Sequence, residues 1–373
     1  MDYFDYRPGS DVMAFEPKIF RISNASDAEH FNFLVGDPDL MIHDTIQLQL
    51  SELLKIRNPD KRLEASAVNT LIAAHLGEVG LHEYGVWVWY PWCRRLVHLL
   101  DEAEFVELRT SRNKYKITPE EQQILSKKSI GIVGLSVGSA VAYTIAMERG
   151  CGWMKLADFD TIDLSNLNRI RASTKDLGIN KAVLMAREIA ELDPFIKIEV
   201  FSDGLNSENM SDFLVGNHPI DLLIDECDGL EMKLEMRFKA QSLGIPVIME
   251  TSDRGMLDVE RFDLEPNRSL FHGRIAHLLE NYPPTHWDQA TKMQYLTAIV
   301  DVSQVSNRMK ASYAELGKSI TTWPQLASAV TLGGGTVADT SRRILLGENV
   351  ASGRYYVDLH QIIAENQGNH VGK

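Results

Sequence analysis

The sequence predicts an α/β protein whose larger part is a mostly parallel sheet with helices on both faces, joined to a smaller, mainly helical N-terminal domain. Three observations carry that prediction. From residue 128 onward, short runs rich in Ile, Val and Leu alternate with longer amphipathic segments, the pattern of βαβ units. The first of these runs, inside "GIVGLSVGSA", passes into a helix through a turn of small residues. Before residue 105 the texture changes, and amphipathic helices predominate.

In chain order, "IHDTIQLQLSELLKIRN" and "SAVNTLIAAHLGE" read as amphipathic helices, and "YGVWVWYPWCRRLVHLLD" as an aromatic strand leading into a short helix. "LRTSRNKYKITPEEQQIL" is the connector, so the expected domains are 1–105, for substrate recognition or dimerisation, and 106–373. Then "KKSIGIVGL" is a strand, "SVGSAVAYTIAMERG" a helix closed by Gly150, and "WMKLADF" a second strand. "NKAVLMAREIAELDP" is a helix stopped by Pro194, followed by the strand "IKIEVFSDG", the short helix "SENMSDFLVG" and the strand "IDLLIDEC". The helix "LEMKLEMRFKAQSLG" and the strand "IPVIMETS" come next, then extended segments over 254–275 broken at Pro266. "YPPTHWDQATKMQYL" suggests a crossover followed by helices, and "VTLGGGTVADTSRRILLG" a helix entered through a glycine-rich stretch.

Composition narrows the function classes. The 373 residues, 44% hydrophobic and 24% charged, suffice for one large core and an appendage. A net charge of −14 argues against bulk binding to nucleic-acid backbones, which needs many cations. Cys93, Cys151 and Cys227 are widely spaced and form no CxxC pair, so neither a disulfide framework nor a structural zinc is expected, and a cytoplasmic home fits. The N-terminal "MDYFDYRPGSDVMAF" lacks the features of an export signal, and no run is apolar enough to span a membrane.

The chemistry gathers around the first strands. A strand ending at Gly134, a turn through Ser136 and a helix opening at Gly138 present backbone N–H groups and the positive end of a helix dipole to an anion. Glycine also serves such turns for steric reasons alone, and GxxxG is short of GxGxxG. Asp158, twenty residues beyond Gly138, stands where a Rossmann-type half places its ribose-binding acid; capping of the next turn by Asp158 or Asp160 is the other reading. The loop beyond it is cationic: Asn166, Arg169 and Lys181 can converge on a triphosphate, whose cleavage calls for fixed positive charge. Singly, each cation is an ordinary surface charge, but Lys181 opens a helix, where lysine is unfavourable unless an anion is near. After "LLIDEC", Asp228 is the candidate to hold Mg²⁺, with Asp225 and Glu226 as neighbours of the same chemistry.

The run "KKSIGIVGLSVGSA…LADFDTIDLSNLNRIR…LGINKA…LIDECDG" resembles the ThiF family of adenylyltransferases, the group that includes MoeB and the ubiquitin-activating enzymes. The resemblance implies that Asp158 binds the ribose of ATP, that Asn166, Arg169 and Lys181 contact its phosphates, and that Asp228 handles Mg²⁺. "RTSRNKYKIT" is similar to the family's opening "RYxRQ", which implies a homodimer with Arg112 acting in trans. The likeness covers 107–275 and extends to "ASAVTLGGGTVAD". Two departures stand out. The glycine loop is one residue shorter than GxGGxG, and the chain has no cysteine after Cys227, where many members carry their thioester-forming thiol.

The expected function is therefore ATP-dependent activation of a carboxylate as an acyl-adenylate, without internal thioester transfer. The carboxylate would belong to a peptide, a ubiquitin-like protein or a small acid. An NAD-dependent oxidoreductase explains the glycine loop and Asp158 but leaves Arg169, Lys181 and Asp228 idle, and a non-catalytic scaffold explains the two departures. Asp253 and Arg254, just past the fifth strand, and His272 in "LFHGR" are further substrate-side candidates, each with a structural alternative. The aromatics of "WVWYPW" fill a core or an interface, a peptide groove being the alternative.

Overall fold

A computed structural model describes residues 12–280 and 282–364 and divides the chain into two units, Met1–Gln122 with Ala186–Ile196 and Gln123–Met185 with Lys197–Lys373. The N-terminal stretch through Asp11, most of the segment expected to carry no export signal, lies outside the described residues. No helix among the described residues is long and apolar enough to cross a membrane.

The first unit runs β1 (Lys18–Phe20), α1 (Ala25–Val35), β2 (Met41–Asp44), α2 (Ile46–Ile56), α3 (Ala65–Leu76), β3 (Val86–Tyr90), β4 (Arg95–Leu99) and α4 (Glu102–Arg109). Its strands form a sheet in the order β1-β3-β4-β2, with β2 parallel to β4 and the other pairs antiparallel. Helices α2 and α3 share a core of Ile46, Leu50, Leu53, Val68 and Ile72, spaced along each helix on one apolar stripe. The aromatic strand is core: Val86, Val88 and Tyr90 pack with Ala190 and Phe195, and Trp87 packs with Phe20, Phe31 and Leu96.

"RRLVHLL" forms β4 rather than the expected short helix. A tight turn over Pro91–Cys93, with Arg94 left-handed at φ 53°, reverses the chain, and alternation then buries Leu96 and His98 while Arg95 faces out. Period-two burial beside a paired strand wins over a helix too short to nucleate alone.

The second unit takes up α5 (Pro119–Leu125) and continues through β5 (Ser129–Val133), α6 (Gly138–Glu148), β6 (Trp153–Ala157), α7 (Lys181–Leu192), β7 (Lys197–Phe201), α8 (Met210–Val215), β8 (Leu222–Asp225), α9 (Leu230–Leu243), β9 (Val247–Thr251) and β10 (Met256–Glu260). It ends with α10 (Ala276–Leu279), α11 (Gln289–Val300), α12 (Asn307–Tyr313), α13 (Ala327–Leu345), β11 (Gly353–Tyr356) and α14 (Leu359–Ile362). Two of the three unit boundaries fall inside α5 and α7, and the third lies between Ile196 and Lys197, where β7 begins.

The sheet has the order β11-β10-β9-β8-β5-β6-β7, parallel from β9 to β7 and antiparallel at β10 and β11. Burial explains the parallel part: β5 is covered on both sides, so its apolar run need not alternate. One face packs on Phe213, Leu214, Leu230, Leu234 and Ile299 from α8, α9 and α11, and α13 packs on α6 and β9. From β5 the chain moves to β6 on one side and later to β8 on the other. Ligands of such sheets collect at that switch, beyond the strand C-termini.

Helix α13 begins at Ala327, so its glycines lie inside the helix and not at its entrance. Contacts explain them. A Cβ on Gly334 would stand 2.9 Å from the backbone of Ala140 on α6, and one on Gly333 would stand 2.5 Å from the Glu250 carboxyl, whereas one on Gly335 meets nothing within 4 Å. Gly335→Ala should therefore stabilise the protein by up to about 1 kcal/mol through helix propensity. Gly334→Ala should cost about 1–3 kcal/mol by overpacking against a neighbouring backbone. Urea unfolding of both variants checks the pair, and two shifts of the same sign would contradict it.

Candidate nucleotide site

The glycine loop is built by backbone constraint. Gly134 has φ +88°, which favours glycine, and its N–H donates to the Ala157 carbonyl at 2.9 Å. A Cβ there would also lie 2.5 Å from the Glu226 carbonyl. Helix α6 opens at Gly138 behind Val137, which offers no capping side chain, so the dipole-positive turn is not closed by its own N-cap residue.

Asp158, 8% exposed at the end of β6, accepts the Leu135 N–H at 2.6 Å with one oxygen and the Asp160 N–H at 2.8 Å with the other. Burial raises its pKa, and the two backbone donors and Lys181 work against that rise. Asn180 donates to the Asp158 carbonyl at 2.9 Å, and its Oδ1 accepts the Ala182 N–H at 2.9 Å, capping α7. Lys181 Nζ pairs with Asp160 Oδ2 at 2.7 Å, so the anion that a lysine at a helix start calls for is present within the chain. The loop between β6 and α7 is tied down along its length, with Ile162 donating to Ile179 at 2.8 Å and Lys181 to Asp160 at 2.9 Å.

Within that loop Leu164–Asn168 forms a 3-10 turn. Asn166 is buried in it, and its Oδ1 accepts the Asp163 N–H at 3.0 Å to close a capping box. Arg169 reaches back to the glycine loop: its Nε donates to Ser136 Oγ at 3.1 Å, and an Nη donates to Asn168 Oδ1 at 2.9 Å. Partial burial lowers the guanidinium pKa, and Asp228 opposes the shift. Arg169 therefore joins the polar loop to the glycine loop and lies within electrostatic range of Asp228 beyond β8.

The three neighbouring acids after β8 have separate environments. Asp225 is fully buried; burial alone would raise its pKa, yet Lys233, whose Nζ lies 2.8 Å away, and Arg237 hold it below the usual carboxylate range. Arg237 also donates to Glu260 at 2.8 Å, and Glu260 accepts the Phe271 N–H at 2.6 Å. Glu226 turns inward, where its Oε1 accepts the Glu250 N–H at 3.0 Å; burial and the Glu250 carboxyl push its pKa well up. Asp228 is exposed. Burial, aided by Asp225, pushes the Cys227 thiol far up, which keeps it protonated at neutral pH.

Gly134, Ser136, Gly138, Asp158, Asp160, Asn166, Arg169, Lys181 and Asp228 all belong to the second unit, at or just beyond the C-terminal ends of β5, β6 and β8. Arg112 belongs to the first unit and is exposed on a 3-10 turn, Ser111–Asn113. Asp253 accepts the Ser306 N–H at 2.8 Å and its hydroxyl at 2.6 Å. Arg254 pairs with Asp358 at 2.8 Å and lies over the Tyr356 ring. His272 sits on a left-handed turn, 3.1 Å from Asp258 through Nε2 and 2.8 Å from Arg268 through Nδ1.

Sequence reasoning missed Glu250. It is 4% exposed, its two carboxyl oxygens have no hydrogen-bond partner among the described residues, and burial pushes its pKa up to about 8. A glutamate ending an apolar strand, in "VIMETS", is the signal that points to it.

That raised value has a definite consequence. Glu250 holds a proton in the folded protein that the unfolded chain releases near its ordinary value of 4.5, so stability falls as pH rises from there through about 8. Thermal unfolding measured across that range should show the decline, and Glu250→Gln should lessen it, leaving the share that the raised Glu226 contributes, and raise the transition at pH 8. The same slope in the Gln variant would assign the decline elsewhere.

Residues 110–362 match the ThiF family. An uncharacterised protein of Mycobacterium tuberculosis is 43% identical over 279 residues, 75% of this chain and 38% of that one. The sulfur carrier protein adenylyltransferase of Thermus thermophilus is 27% identical over 134 residues, 36% of this chain and 48% of the relative. Among solved structures, the E. coli tRNA N6-threonylcarbamoyladenosine dehydratase in complex with ATP is 18% identical, with 67% of this chain and 97% of that chain covered and a TM-score of 0.47. The chain thus spans less than half the length of these two curated relatives. With the family match extending from the connector through the last helix, the chain belongs to the ThiF family.

Proposed function

We propose that the protein is an ATP-dependent adenylyltransferase that activates a carboxylate. A carboxylate oxygen attacks the α-phosphorus of ATP, the bond from that phosphorus to the bridging oxygen breaks, and an acyl-adenylate and pyrophosphate result. The observation that carries this reading is Arg169, held by Ser136 against the glycine loop and within the field of Asp228. A cation fixed there suits phosphates at the start of α6 and has no part in hydride transfer to a nicotinamide. Asp158 binds the ribose, and Asn166 and Lys181 line the phosphate side. For Lys181 to meet a phosphate, ATP displaces part of its pairing with the half-exposed Asp160.

Asp228, the exposed acid of the three, would hold Mg²⁺; one carboxylate completed by phosphate and water oxygens suits that ion, which when bound neutralises charge on the phosphates. Arg112 acts in trans within a homodimer, and the N-terminal domain recognises the substrate. The acid activated is the terminus of a peptide or small protein, a reading supported by the relative named for a sulfur carrier protein. Residues 228–373 hold no cysteine to take up the acyl group, which supports passage of the adenylate to an external nucleophile or cyclisation in place.

ATP–pyrophosphate exchange with a panel of carboxylate substrates tests the reaction. Arg169→Ala and Lys181→Ala should each lower exchange by about 10²–10³-fold while leaving the fold intact. Tight NAD binding without ATP binding would overturn the proposal. A mixture of Arg112→Ala and Arg169→Ala chains should regain about a quarter of wild-type exchange, since random pairing reunites one intact site in half of the dimers. No recovery on mixing would rule out action in trans.

A further inference from the structure

Behind the glycine loop lies a set of contacts that the nucleotide reading leaves unused. Glu226 directly follows β8, and its N–H donates to the Val133 carbonyl at 2.8 Å. Its own carbonyl presses on Gly134, 2.5 Å from where a Cβ would be, and its side-chain stem passes 3.5 Å from the Cβ position of Gly138. One residue thus forms the floor under both glycines of the loop. Its carboxyl is anchored by the Glu250 N–H of β9 at 3.0 Å. The Glu250 carboxyl in turn lies against α13, in the space that a side chain at position 333 would fill. A buried carboxyl without a partner and a glycine inside a helix are each unfavourable, yet here the glycine makes the room that the carboxyl occupies.

We propose that Glu226 is a positioning residue for the nucleotide loop, anchored through Glu250, whose seat is set by Gly333 on α13. The inference rests on the reading of the glycine loop as an ATP site. Glu226 acts through the backbone of Gly134 and Gly138 and touches no phosphate itself, so its loss should weaken nucleotide binding before it slows chemistry.

Titration calorimetry with Mg·ATP, with thermal unfolding of every variant alongside, tests the arrangement. Glu226→Ala removes the acceptor for the Glu250 N–H and should weaken ATP binding on the order of tenfold, the cost of leaving one buried N–H without an acceptor. In exchange assays KM for ATP should rise more than kcat falls. Glu226→Gln keeps the acceptor and should stay within about threefold of wild type. Gly333→Ala forces a methyl group into the Glu250 carboxyl and should also weaken ATP binding, whereas in a Glu250→Ala background it should add nothing. Wild-type affinity in Glu226→Ala, or an equal effect of Gly333→Ala in both backgrounds, overturns the role of the pair. If Glu226→Ala fails to fold, the two-background comparison decides alone. Absence of measurable ATP binding by the wild-type protein would instead sink the reading of the site, and the inference with it.

Discussion

A single carboxylate sets the two loops of the candidate site against each other. Asp158 takes the Leu135 N–H on one oxygen and the Asp160 N–H on the other, so the turn after β5 and the loop after β6 cannot move apart without breaking a buried, charge-assisted bond. The positions of other groups follow from it. Asp160, oriented by that bond, meets Lys181, and Asn180 ties the same backbone to the start of α7. A nucleotide arriving at this edge would find both loops already in register, which lowers the ordering cost of binding.

The chain carries a large negative net charge, yet Lys181, Lys233 and Arg237 are buried at this end of the sheet. Lys233 and Arg237 hold the buried Asp225, and Arg237 continues through Glu260 to the Phe271 N–H. Removing any one partner would strand another charge away from water, so the end of β8 is costly to displace. That rigidity places the residues just past β8: Glu226 faces inward and Asp228 outward. Arg169, only partly buried, stays close enough to Asp228 to feel its charge.

The sequence made the parallel sheet legible because its strands are buried on both faces, and continuous runs such as Ile130–Val133 and Leu222–Ile224 record that burial directly. The candidate site stood out in the sequence for a related reason. Strand-end loops have few reasons to carry Asp158, Asn166 and Arg169 together, so their spacing stood out. The features that stayed hidden depend on partners distant in sequence. The glycines of α13 looked like a helix entrance because their cause lies on Ala140 and Glu250, and β4 looked helical because its pairing with β3 outweighs local propensity. Asp253 and Arg254 stood where a substrate would pass, and only the folded chain reveals Ser306 and Asp358 as their companions.

Helix α7 has an implication for how the protein comes into being. Its later residues, with Phe195 just beyond, complete the core of the first unit: Ala190 and Phe195 lie beside Val86, Val88 and Tyr90, and the Tyr90 hydroxyl donates to the Ala190 carbonyl at 3.2 Å. On the ribosome the first unit therefore stays open on that side while β5, α6, β6 and the nucleotide loop are made. The cluster around Val86, Val88 and Tyr90 can close only once residue 195 has been made, whereas the clusters around Leu50 and Phe31 draw on earlier residues alone.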